Sequence, residues 1–312
     1  MKEHKGAHSF YSDHHTVVTI GTFDGVHVGH QKIIERLVNT ARAGNLESAI
    51  LTFFPHPRMV LQKDADIKLI NTIEERKKIL EKTGVDHLIV HPFTRQFSRL
   101  SAREFVRDIL VHKLKAKKVI IGYDHRFGRN RTADIDDLRE FGKEYDFDVE
   151  EISKQDIEEV AVSSTKIRQA LLEGRVEKAN RYLSYPFSLA GTVVKGKGLG
   201  KEFSYPTANL HIKEDYKLIP KNGVYVVHAE IDGKSYFGMM SIGTNPTVGG
   251  THKTIETYFF NLDRDLYGQF LSIELLTRIR DEKKFDSIES LKTAMRQDEA
   301  FSKQYIRDNY AE

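Results

Sequence analysis

The chain contains no cysteine. Disulfides and thiolate metal sites are therefore excluded, and a reducing, cytoplasmic compartment is the expectation. It has no run of about 18 apolar residues, so no membrane span is expected. Met1 to His15 is polar and histidine-bearing and lacks the apolar core of a secretory signal. Charge of one sign is scarce as well: the formal net charge is +3 over 312 residues, with basic and acidic side chains alternating. Nucleic-acid binding has no compositional support in that pattern. There is no internal repeat and no low-complexity tract. His4, His8, His14 and His15 match no structural metal spacing and read as a weakly ordered arm.

What is present is globular in character, with 39% hydrophobic and 30% charged residues. The length suits two domains, each with its own core. In the first half, five β-rich runs alternate with helical patterns: Thr16–Ile20, Ala49–Phe53, His87–Val90, Lys118–Ile121 and Asp148–Ile152. Thr72 with Glu75 and Ser101 with Glu104 read as capping boxes, and Asp134 to Tyr145 as a further helix. This alternation predicts a Rossmann-like parallel sheet covered by helices, with ligands beyond the carboxyl ends of its strands.

Beyond about Ser184, strand-like runs follow one another at Ser188–Lys195, Val224–Ile231, Tyr236–Ile242, Thr254–Phe260 and Phe270–Arg278. Asp232-Gly233 fits a type I′ hairpin turn between two of them. A small antiparallel barrel or sandwich is predicted. An amphipathic helix closes the chain from about Asp286, with Ile288, Leu291 and Met295 on one face.

The most specific signal is Gly21-Thr22-Phe23-Asp24-Gly25-Val26-His27-Val28-Gly29-His30, between the first strand and a helix carrying Ile33, Ile34, Leu37, Val38 and Ala41. Gly21, Gly25 and Gly29 let backbone amides approach a polyphosphate, and the helix N-terminus adds partial positive charge. His27 and His30 fall on one side of the first turn, where each can donate to a charged oxygen. The string resembles the HxGH signature of the nucleotidyltransferases. After the second strand, two prolines frame His56. Ser163-Ser164-Thr165-Lys166-Ile167-Arg168 opens a helix whose hydroxyls, amides and Arg168 suit phosphate oxygens; a simple N-cap is the plainer alternative. Asp124 holds ribose or adenine, or is an ordinary turn aspartate. Attack on the α-phosphorus of ATP by an oxygen already on the substrate needs no protein nucleophile, only positioning and charge stabilisation.

In the second half, Gly196, Gly198 and Gly200 with Lys195 and Lys197 can fold over phosphates, although the loop does not follow the GxxxxGK(S/T) pattern. Thr207 and Asn209 offer two neutral oxygen ligands suited to Mg²⁺. Glu256 is the candidate general base for a hydroxyl nucleophile. Its rival role is that of a structural carboxylate paired with Arg278 or Arg280.

Nine short segments in one order carry a wider resemblance: GTFDGVHVGH, TFFPHP, GYDHRFG, SSTKIR, PTANL, PKNGVY, SIGTNPT, DLYG and IRDEKKF. Along nearly its whole length the chain is similar to the bacterial bifunctional riboflavin kinase/FAD synthetases. The resemblance implies an FMN adenylyltransferase over residues 1–183 and a β-barrel riboflavin kinase over 184–312. By position, it implies that His27 and His30 contact ATP phosphates, with Gly21, Phe23, Asp24, Gly25, His56 and Asp124 lining the same site. Ser164, Thr165 and Arg168 would close it. Gly196, Lys197, Gly198, Gly200, Asn245 and Thr247 would bind substrate or nucleotide in the barrel, Thr207 and Asn209 Mg-ATP, and Glu256 would be the kinase base. Riboflavin, FMN and ATP are the implied small-molecule partners, Mg²⁺ the cofactor, and FMN and FAD substrate and product; nucleic acid and membrane are not expected. The chain departs from the family at His125, often phenylalanine, at Lys201-Glu202-Phe203-Ser204, usually Arg-x-x-Gly, and at Tyr258, commonly histidine. A transferase whose barrel only binds is the alternative, and a basic RNA-binding barrel ranks last because Phe and Tyr fall mostly within strand patterns.

Overall fold

The computed structural model describes residues 1–62, 66–123, 125–153, 162–196, 205–247 and 250–310, without the side chains of 245–247 and 250–252. Two compact units result, Met1–Ser164 and Thr165–Glu312.

The first unit is built on six parallel strands in the order β1-β4-β3-β2-β5-β6. They are β1 (Lys2–His4), β2 (Thr16–Ile20), β3 (Glu47–Phe54), β4 (His87–Pro92), β5 (Ala116–Gly122) and β6 (Asp148–Ile152). All five residues of β2 are buried, as expected of a central strand covered on both faces. Its alternation divides the core: Val18 and Ile20 enter one apolar cluster, Val17 the other. Strand order reverses on either side of β2, which pairs with β3 and β5, so the carboxyl end of β2 opens at the topological switch point. Helix α1 (Val28–Ala43) buries Ile34, Leu37, Val38 and Ala41. The two expected capping boxes open α3 (Ile73–Glu81) and α4 (Ala102–Glu104), which continues as a π-helical stretch over Phe105–Lys113. Short α2 (Pro57–Leu61) and α5 (Ile135–Tyr145) complete the unit.

The N-terminal histidines do not form a loose arm. Lys2–His4 pairs in parallel with β4, and Ala7 and Phe10 enter the core. His4 Nε2 and His87 Nδ1 lie 3.0 Å apart, and His87 Nε2 lies 2.8 Å from Glu47 Oε2. The alternation of polar Lys, Glu and His hides an edge strand whose stability comes from that buried contact.

In the second unit, α6 (Ser164–Leu172) and α7 (Val176–Leu183) lead into a closed barrel, β10-β11-β8-β7-β12-β9. Its strands are β7 (Phe187–Val194), β8 (Ala208–His211), β9 (Gly223–Ile231), β10 (Lys234–Thr247), β11 (Gly250–Phe259) and β12 (Phe270–Arg280). Asp232 and Gly233 have φ of 50° and 72° between paired Ile231 and Lys234, as a type I′ turn requires. Helix α8 (Ile288–Tyr310) is held differently from the apolar-face expectation. Ile288 is 56% exposed, whereas Asp298 is buried and accepts two hydrogen bonds from Arg280, at 2.8 and 2.7 Å. Met295 does pack against Val224, Met239 and Phe260.

Candidate active sites

After Ile20 the chain turns through the glycine loop before α1. Gly21 N–H donates to the Leu51 carbonyl at 3.1 Å and Thr52 Oγ1 to the Thr22 carbonyl at 3.2 Å, tying the loop to β3. Phe23 (φ 48°) and Val26 (φ 36°) are left-handed on either side of Asp24-Gly25, with Gly25 itself at φ 88°. For non-glycine residues such backbone costs about 1–3 kcal/mol each and persists only where the surroundings over-determine it. They do so here. Asp24, 1% exposed, accepts from Ile70 N–H at 3.0 Å and Asn71 N–H at 3.2 Å. Its carbonyl accepts from Ser164 Oγ at 2.8 Å, and Gln31 Nε2 donates to the Val26 carbonyl at 2.9 Å.

His27 is the N-cap of α1, its Nδ1 accepting from His30 N–H at 3.4 Å. The two imidazoles stack with centroids 3.7 Å apart at 16°, and the Phe23 ring meets His30 edge-on at 5.1 Å. Burial first, then the charges of His27 and Arg76, push the His30 pKa well below the ordinary imidazole value. The ring is therefore neutral near pH 7. Its Nδ1 is buried with no hydrogen-bond partner among the described residues. A lone pair tolerates that position better than an N–H would, which favours the tautomer protonated on Nε2. At the end of β3, His56 caps α2, its Nδ1 accepting from Arg58 N–H at 3.2 Å, with Pro57 in the first helical turn.

Thr165 and Arg168 stand on α6, exposed and half-buried respectively, in the second unit. Asp124, Lys197, Gly198, Gly200 and the stretch Lys201–Ser204 lie outside the described residues. Asn245 and Thr247 are in the β10–β11 ladder, opposite His252 and Gly250.

In the barrel, Thr207, Asn209, Glu256 and Gly196 come together. Strand β8 was not among the expected strands, and it carries Asn209 directly opposite Glu256 of β11. Thr207 Oγ1 donates to Glu256 Oε2 at 3.3 Å. A Cβ on Gly196 would stand 2.2 Å from Asn209 Nδ2, so only glycine lets the chain leaving β7 lie on that amide. Both arginines named as rival partners of Glu256 are engaged elsewhere. Arg278 Nη2 donates to Asp281 at 2.6 Å and to the Asn222 carbonyl at 2.7 Å, and Arg280 clasps Asp298. Tyr258 packs edge-on against Tyr205 at 5.0 Å. Burial, then a 2.8 Å hydrogen bond to Glu299, pushes the Tyr205 phenol up to about 12.

One residue escaped the motif reading. Arg76, 1% exposed, lies 3.8 Å from Asp24 Oδ1 beneath the glycine loop. Among Glu75, Lys77 and Lys78 it reads as one more solvated charge. The available signal was its i, i+4 relation to buried Leu80.

A parallel sheet bearing an HxGH loop at its switch point, followed by a closed barrel that gathers a carboxylate with neutral oxygen-bearing side chains, defines a class: two-unit transferases of phosphoryl and nucleotidyl groups. The FAD synthetase family model matches residues 10–166 and the riboflavin kinase family model residues 183–306. The chain is 38% identical to the bifunctional riboflavin kinase/FMN adenylyltransferase of Listeria monocytogenes, over 93% of this chain and 92% of that one. It is 34% identical to the Escherichia coli K12 protein of the same name, with the same shares covered, and 36% to that of Pseudomonas fluorescens, over 95% of each. A solved Streptococcus pneumoniae structure titled as a macrolide-efflux protein superposes with a TM-score of 0.87 at 32% identity, covering 97% of this chain and 98% of that one. Among the described residues, no helix here is long and apolar enough to cross a membrane. The chain belongs to the bifunctional riboflavin kinase/FMN adenylyltransferase family.

Proposed function

We propose that the chain phosphorylates riboflavin with ATP to FMN and then transfers AMP from ATP to FMN, giving FAD and pyrophosphate. The observation that carries this reading is that one chain of this family has a glycine loop with two stacked imidazoles in its first unit and a carboxylate beside two neutral oxygen-bearing side chains in its second. The functional boundary falls at 183/184. The substrates are small molecules, and the cysteine-free composition supports a cytoplasmic setting.

In the barrel, Glu256 accepts the proton of the terminal ribityl hydroxyl as that oxygen bonds to the γ-phosphorus and the bond to ADP breaks. A neutral hydroxyl is a poor nucleophile, and a positioned carboxylate contributes about 10²–10⁴-fold. The Thr207 hydroxyl and Asn209 amide are hard, uncharged oxygen donors beside the cradle kept open at Gly196. They fit Mg²⁺, which favours few protein ligands plus substrate phosphates and, when bound, supplies charge neutralisation there. Lys197, Gly198, Gly200, Asn245 and Thr247 complete the phosphate and flavin contacts.

In the sheet unit, a phosphate oxygen of FMN attacks the α-phosphorus of ATP and pyrophosphate departs. The α1 N-terminus and the two stacked imidazoles donate to the charge that develops on the departing oxygens, while Gly21 and Gly25 let the loop lie close to them. Ser164 is the phosphate-side hydroxyl of this unit, Thr165 and Arg168 remain candidates for the same role from the sequence, and Phe23, His56 and Asp124 are the candidates for lining the nucleotide. Asp24 serves this site by shaping the loop.

Glu256→Gln tests the kinase half, since it keeps the shape and removes the basicity. FMN formation should fall about 10²-fold or more, with flavin binding and melting temperature little changed. FAD synthesis from supplied FMN should persist. Early melting with lost binding would favour a structural carboxylate, and normal kinase turnover would remove both roles.

A further inference from the structure

Arg76 has no part in the chemistry above, yet it is a fully buried cation on α3. Burying a guanidinium is costly unless it is paired and its surroundings are fixed. Its neighbour is the carboxylate of Asp24, 3.8 Å away and equally buried. Asp24 also accepts from Ile70 and Asn71 N–H, immediately before the Thr72 cap of the helix that carries Arg76. The ion pair thus joins the start of α3 to the middle of the glycine loop. Phe23 and Val26, the two strained residues, flank that anchor. Phe23 in turn sets its ring edge against His30.

We propose that Arg76 is a positioning residue for adenylyl transfer: through Asp24, its buried guanidinium holds the strained loop in shape and keeps His30 presented to the triphosphate as an uncharged Nε2–H donor. The charged and titratable groups around His30 agree. His27 stacks on it and Arg76 approaches from α3; both disfavour its protonation. Asp24 is turned to Arg76 and the 70–71 amides, and Glu75 spends Oε2 on Thr72 N–H at 2.8 Å. An imidazolium at this position would hold ATP and released pyrophosphate as firmly as the transition state, and such uniform binding does not speed the chemical step.

The inference rests on the adenylyltransferase reading, and its test separates the two. Full-length Arg76→Met and Arg76→Lys are compared with the wild type for FAD formation from FMN across pH, with riboflavin phosphorylation by the same preparations as the control. In Arg76→Met, kcat for FAD formation should drop about tenfold or more near neutrality. The acid limb of its pH profile should move upward by about half a unit or more, because a cation that opposed protonation of His30 is gone while Asp24 remains. Arg76→Lys should restore most of the profile, and kinase turnover should be unchanged in both. An unmoved acid limb in Arg76→Met, or equal losses in both variants that track melting temperature, would overturn the proposal. If Arg76→Met does not fold, ¹⁵N-histidine NMR of the wild type and Arg76→Lys decides: His30 should remain the neutral Nε2–H tautomer through the pH range in which an ordinary imidazole takes up its proton. An ordinary imidazole titration would refute the claim. Absence of FAD synthesis by the wild type would remove the functional reading alone, since the NMR titration needs no turnover.

Discussion

Glu256 and Asp24 are carboxylates at the two proposed phosphate sites, and their surroundings suit them to opposite work. Glu256 is half-buried with a hydroxyl partner, free in geometry to receive a proton. Asp24 is buried against two backbone N–H groups and a guanidinium, which commits it to structure. The difference was invisible in sequence, because a motif shows that a carboxylate is present and not which way its oxygens turn. His91 makes a similar point about pH. Burial, with a smaller effect of His8, lowers its pKa to about 4, and its Nδ1 accepts from Ala7 N–H at 3.0 Å. The unfolded chain takes up this proton near 6.5, whereas the folded unit refuses it until about 4. The stability His91 contributes is therefore present above about pH 6.5 and lost as pH falls towards 4. His91→Asn, which keeps an acceptor for Ala7 but cannot titrate, should flatten the fall of melting temperature over that window. Equal slopes in variant and wild type would contradict this.

At the scale of elements, the strands legible in sequence are mostly those with longer β-rich runs, such as Thr16–Ile20. β1 and β8 were not legible. Each has three or four residues, too few for a period of two to show, and each is specified by partners distant in sequence: β4 for one, β7 and β11 for the other. The helices before the barrel are a further case. Asn180 of α7 donates to the Leu275 carbonyl at 2.9 Å and accepts from Phe187 N–H at 2.8 Å, and Lys221 N–H donates to the Leu171 carbonyl at 3.0 Å. Glu177 bonds Thr277. A fragment of residues 184–312 retains Glu256, Thr207 and Asn209 and should phosphorylate riboflavin. It strips these partners from β12 and the entry to β7, and each polar group left unpaired costs about 1–3 kcal/mol. Calorimetry should show a fragment of residues 165–312 melting about 5 °C or more above the shorter one. Equal melting would mean that α6 and α7 add nothing to the barrel.

At the scale of the whole molecule, the HxGH loop and the PTANL segment were legible because each concentrates its chemistry within a few consecutive residues. Arg76 was not, because its role exists only once α3 lies beneath the loop, and no local pattern distinguishes it from its charged neighbours. The central claim is that one chain performs two successive transfers at two separate sites. Product analysis of the purified protein given riboflavin, ATP and Mg²⁺ tests it most directly, with His30→Ala run alongside. The wild type should accumulate FMN first and then FAD, while His30→Ala should make FMN normally and form FAD about 10²-fold more slowly. FMN without any FAD from the wild type, or FAD formed at an unchanged rate by His30→Ala, would contradict the account.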